Sequence, residues 1–78
     1  MFTIEFDFDA TVITLVDEGG EHLQEDVTIE SFEDCVTVQQ ADQSGDYVHK
    51  ITFSHAQLRE LAAALNLPEG AYRLTPKA

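Results

Sequence analysis

The chain has 78 residues, and its 15 Asp and Glu against 4 Lys and Arg give a net charge of −11 at pH 7. A chain this short is one domain, residues 1–78, and its charge argues against binding nucleic acid directly, since phosphates are repelled and no counterions are released. The charge argues equally against an anionic membrane surface, and no apolar run approaches the ~20 residues that span a bilayer.

Leu, Ile, Val and Phe supply 22 of the 78 residues. That is about 28%, above the roughly 20% below which high charge means disorder. The apolar residues are also periodic, which predicts a folded domain. Residues 2–8 alternate strictly, with Phe2, Ile4, Phe6 and Phe8 on one side and Thr3, Glu5 and Asp7 on the other. Asp9 continues the acidic side. This is the period-2 signature of a half-buried strand. Residues 11–16 are β-branched and apolar on both sides, which predicts a more fully buried strand. Asp17-Glu18-Gly19-Gly20 reads as a turn, and the polar stretch 21–26 as loop or strand entry.

Residues 27–32 place Val27 and Ile29 opposite Thr28 and Glu30, and Glu33-Asp34 is a tight connection. Residues 35–40 place Val36 and Val38 opposite Cys35, Thr37 and Gln39. Asp42-Gln43-Ser44-Gly45-Asp46 is a turn, followed by a strand over 47–53. In that strand Tyr47, His49, Ile51 and Phe53 oppose Val48, Lys50 and Thr52.

The period then changes. Ser54 and Gln57 fit the N-cap and N3 positions of a capping box. Leu58, Leu61, Ala62 and Leu65 follow at helical spacing, predicting a helix over about 55–65. Asn66 is placed to follow its end, and Pro68 stops it. Residues 71–74 read as a short last strand and 75–78 as a frayed tail. Short connections favour an antiparallel meander. The expected fold is therefore α+β, a meander of four to five strands with one helix packed on one face. The other face stays in water and carries the acids.

No motif names a reaction. The four glycines form no phosphate-binding loop, and there is no G-x-S-x-G elbow. His22, His49 and His55 lack metal-ligand spacing, and His49 reads as a partly buried, hydrogen-bonded structural histidine. The 42–46 turn fails the calcium-loop pattern, with glycine too early and Phe53 at position twelve. Glu5 and Asp7 lie on an open face with no pocket to raise a pKa. The expectation is no enzyme, no cofactor and no metal. Cys35 is the single cysteine, so no internal disulfide forms. Acids 33 and 34 beside it disfavour the thiolate, and it reads as inert. The absence of disulfides predicts a reducing, cytoplasmic setting. Met1 to Glu5 lack the basic start and continuous apolar core of a signal peptide.

The informative feature is where the charge lies. Residues 1–49 hold thirteen acids and no Lys or Arg; residues 50–78 carry a net +2. One reading is a solvated surface that keeps a small protein soluble and monomeric. The other is a negative surface offered to a basic partner. Carboxylates along a strand repeat every 6–7 Å or so, close to the phosphate spacing of a nucleic-acid strand.

A short, acidic, cysteine-poor single domain of one sheet and one helix resembles the DNA-mimicking inhibitors of phages and other mobile elements, the anti-CRISPR and anti-restriction proteins. The resemblance covers the whole chain in size and charge. It is carried by no motif, so no residue role is transferred by position. It implies an inhibitor that binds the basic DNA-entry surface of a CRISPR effector or a DNA-cutting enzyme and blocks DNA loading.

On the residues alone, the partner-binding acids are Glu5, Asp7, Asp9 and Glu30 on the open face. Asp17, Glu18, Glu21, Glu33 and Asp34 at the turns come second. The alternative is a generic protein-interaction module whose acidic surface only solubilises. It would make contact through an edge strand or through Arg59, Ala63 and Ala64. A monomer is expected, with edge-strand pairing the route to a dimer.

Overall fold

The computed structural model describes residues 1–74. Five strands, β1 (Phe2–Phe6), β2 (Thr11–Leu15), β3 (Val27–Ser31), β4 (Val36–Ala41) and β5 (Val48–Phe53), precede one helix, α1 (His55–Ala64). All neighbouring strands pair antiparallel, in the order β1-β2-β3-β4-β5. The protein is thus α+β with a plain meander, as the alternation and short turns predict. The fifteen-position apolar face and the polar face follow from the register, because paired residues share a face and successive ones alternate.

On the apolar face, Ile4, Ile13, Ile29, Val38 and Ile51 form a continuous row across all five strands. Phe2, Leu15 and Val27 extend one neighbouring row, which ends in Gln40 and His49. Phe6, Val36 and Phe53 lie in the other, with Thr11 and Ser31. The opposite face carries Thr3, Glu5, Val12, Thr14, Thr28, Glu30, Thr37, Gln39, Lys50 and Thr52 in register.

β1 stops at Phe6, two residues short of the alternating run. The Asp7 N–H donates to the Ala10 carbonyl at 2.8 Å, and the Asp7 carboxylate accepts the Phe8 N–H at 2.7 Å. This local closure turns the chain before Phe8, which is left 99% exposed. Short polar side chains bonding nearby backbone N–H groups compete with strand pairing in this way.

α1 begins at a complete capping box. The Ser54 hydroxyl accepts the Gln57 N–H at 3.0 Å, and the Ser54 N–H donates to the Gln57 side chain at 3.0 Å. The helix meets the sheet at β5. The His55 imidazole lies 2.8 Å from the Phe32 carbonyl, so its Nε2 carries the proton and donates. Leu58 is half-buried, but Leu61, Ala62 and Leu65 of the expected stripe are exposed, Leu65 by 78%.

Geometry accounts for this. A ten-residue helix is about 15 Å long and is tied to β5 by Ser54 alone, whereas five strands span roughly 20 Å between the outer two. The described core is correspondingly small: Val36 is 1% exposed and Thr37 is also buried. Ile4 remains 54% and Phe6 86% exposed on the apolar face.

Two local expectations are corrected. Residues 71–74 form no strand. The Tyr72 hydroxyl instead donates to the Pro68 carbonyl at 3.1 Å, folding the segment back on its own turn. A Cβ at residue 70 would sit 3.1 Å from the Tyr72 ring, so Gly70 makes room for it. His49 is exposed, and His55 is the histidine with a backbone partner. His49 shares a row with Phe2 and Gln40 on a face that nothing covers there, so burial is not available to it. The frayed tail expected at 75–78 lies outside the described residues.

Candidate functional site

The acids expected on one open face are divided by the fold. Glu5 and Glu30 do share the polar face, in one row with Val12 between them. Two interstrand steps separate their backbones by about 10 Å. Glu30 is half-buried, and its Oε1 accepts the Gln39 amide at 2.9 Å. Asp7 and Asp9 are not on that face. The closure that ends β1 puts both in the β1–β2 turn, at the end of the sheet where β1 stops. Glu33 and Asp34 occupy the β3–β4 turn at that same end, closed by the Phe32 N–H donating to the Cys35 carbonyl at 2.8 Å.

Asp17, Glu18 and Glu21 lie in the β2–β3 connection at the opposite end. The Asp17 carboxylate accepts the Gln24 N–H at 3.0 Å, bracing that long loop. Glu18 pairs with the N-terminal ammonium of Met1 at 2.9 Å. Among the described residues this is the one ion pair, and no Lys or Arg side chain neutralises a carboxylate. The nine acids read from the sequence therefore fall into three groups: Glu5 and Glu30 on the polar face, Asp7, Asp9, Glu33 and Asp34 at one end, and Asp17, Glu18 and Glu21 at the other, where exposed Glu25, Asp26 and Asp46 also lie.

Asp42 is the best-bonded acid, and it is structural. Its carboxylate accepts the Ser44 hydroxyl at 2.9 Å, the Gly45 N–H at 2.8 Å and the Tyr47 N–H at 3.4 Å. Gly45 has φ +79°, which glycine adopts at little cost. The Ser44 hydrogen bond, with backbone N–H groups behind it, holds the Asp42 carboxyl below the ordinary carboxylate range. The spacing Asp-x-Ser-Gly carried this signal, since Asp at the start of a turn bonds its own backbone.

Cys35 is half-buried and free. Burial first, and then the charge and hydrogen bond of Asp34, push its thiol up. A raised thiol pKa suppresses the nucleophilic thiolate. Among the described residues, no three His, Cys, Asp or Glu side chains are placed to hold a metal ion. A recess of about 340 Å³ opens beside the β2–β3 loop, between Glu25, Thr28, Gln39 and Val48. Its lining contains Glu25, Asp26 and Thr28 but no Cys, His or Lys. No described helix is long and apolar enough to cross a membrane.

The chain belongs to a family described as a domain of unknown function, DUF8831, which it matches over residues 3–64. That span takes in nearly all of β1 and every other element through α1. No curated protein and no solved structure matches the chain.

Proposed function

We propose that this domain is a non-catalytic interaction module whose carboxylates engage a basic protein surface, of the kind that a DNA-processing complex uses to hold DNA. The observation that carries the reading is that, among the described residues, Glu18 alone has an ion-pair partner, the Met1 ammonium. Thirteen acids precede the first Lys or Arg, and no Lys or Arg side chain pairs with any of them among the described residues. A carboxylate without an internal cation offers its full charge to an external one. Such complementarity speeds encounter and falls with ionic strength.

The division of the acids shapes the reading. Glu5 and Glu30 stand on a sheet face, with acidic turns at both ends, so the negative potential runs the length of the strands. Strands of five or six residues at about 3.4 Å each run roughly 17–20 Å, the reach of several nucleotides. α1 meets the sheet mainly at β5, where half-buried Leu58 and the bond from His55 to Phe32 hold it, and it leaves Ile51 58% exposed.

The test is capture of partners from a lysate of the native cell at low and high salt, followed by competition with duplex DNA. The expected partner is basic, is released by salt and is displaced by DNA. Glu5→Gln, Glu33→Gln and Asp34→Asn in one chain should weaken that capture while leaving the fold intact. Capture that survives high salt and this triple variant would sink the charge reading. It would favour the alternative, in which contact is apolar and the acids only solubilise. The exposed Phe and Ile side chains of the apolar face favour that second reading.

A further inference from the structure

We infer that the apolar face of the sheet is covered by the same face of a second copy, giving a two-layer β-sandwich dimer with the carboxylates outside. The inference stands apart from the partner-binding reading and concerns the opposite face of the sheet.

Surface area argues first. A folded monomer of 8.7 kDa exposes about 4,700 Å² by the usual scaling with mass. This chain exposes 6739 Å², roughly 2,000 Å² more. The excess is larger than the ~800 Å² that each partner gives to a standard stable interface. The radius of gyration, 14.8 Å, likewise exceeds the ~11.5 Å of a compact chain this long. A sheet with one apolar face needs a second layer, and α1 contributes no buried side chain to one.

Charge then selects the occupant. None of the fifteen strand positions on the apolar face is Asp, Glu, Lys or Arg. In a chain of net charge −11, this is the surface on which two copies approach without placing carboxylate against carboxylate. A basic or acidic partner finds no counter-charge there. The face also matches itself. Its apolar row runs through Ile29 on the central strand, so a two-fold axis near Ile29 lays that row across its own copy. Sheets packed this way sit about 10 Å apart, with strands some 30° from aligned. The monomer expected from net charge alone gives way here to where that charge sits.

Sedimentation velocity of the whole chain over a concentration series tests this. The expected species has twice the 8.7 kDa chain mass. Its melting temperature should rise with protein concentration, as mass action requires. Ile4→Lys and Thr3→Lys place the same charge on opposite faces of edge strand β1. Ile4→Lys should weaken association about tenfold or more, because it buries an unpaired ammonium, while Thr3→Lys leaves it intact. If Ile4→Lys fails to fold, the concentration dependence of the wild-type melting temperature still decides. A wild-type chain that stays monomeric, with a melting temperature independent of concentration, overturns the inference. So does a dimer that survives both Ile4→Lys and Ile51→Lys, since it would be held by a strand edge instead.

Discussion

The two faces of one sheet are built from the same five strands and meet opposite conditions. One carries an unbroken Ile and Val row and no formal charge; the other carries Glu5, Glu30, Lys50 and five threonines. The apolar face loses free energy for every exposed Ile and Phe, at roughly 25 cal/mol per Å². The exposed polar groups of the other face are solvated, and hydrogen bonds such as that from the Gln39 amide to Glu30 hold it in place, with buried Thr37 the exception. The lesson is that net charge describes neither face. A chain of −11 owns a surface with no charge at all, and that surface is where its unspent hydrophobic energy lies.

The largest expected single-site effect on stability sharpens this contrast at Val36, the one apolar-face residue already sealed. Val36→Ala should cost about 2 kcal/mol, from lost transfer energy and the cavity left behind. Denaturant unfolding measures it at fixed protein concentration. A cost as small as that of a surface substitution would mean that the corner at β4 and β5 is not packed as described.

On the polar face the opposite sign is expected. Thr37 is buried with its Oγ1 unpartnered, so the hydroxyl is desolvated without compensation. Thr37→Val should stabilise by about 1 kcal/mol, read as a rise in melting temperature. Destabilisation would reveal a hydrogen bond that Thr37 makes in solution.

The smallest effect lies outside both faces, at the β4–β5 turn. The folded Asp42 carboxyl titrates below its unfolded value. Its contribution is therefore fully present above the ordinary Asp pKa of about 3.9 and is lost as pH falls through the folded value. Asp42→Asn should flatten the acid limb of stability against pH in that window. An unchanged limb would show that the turn is held by backbone geometry alone.

Most of the sheet is legible in the sequence, because period-2 alternation fixes which residues share a face. Phe2 to Phe6 and Val48 to Phe53 needed no tertiary information, and Ser54 with Gln57 announced the helix start. What failed to read out was closure. Phe8 continues the alternation, yet the Asp7 carboxylate captures the Phe8 N–H and ends the strand. With the Asp7 N–H bonded to the Ala10 carbonyl, this closure moves Asp7 and Asp9 from the face to the turn. The helix itself was also legible, but of the stripe read for it, Leu58, Leu61, Ala62 and Leu65, only Leu58 is half-buried, because periodicity carries no distance. A ten-residue helix tethered at β5 cannot reach β1, so the stripe does not establish which surface it covers. The site is legible only as charge, since no motif ties any acid to a partner.

Salt separates the two faces most directly. Sedimentation velocity of the wild-type chain at low and high ionic strength reads self-association with no partner present. Contact through the charge-free face predicts a dimer that tightens as salt screens the repulsion between two bodies of −11 each. A dimer that loosens with salt would place charged groups in the contact and contradict the account, and so would a monomer at every concentration.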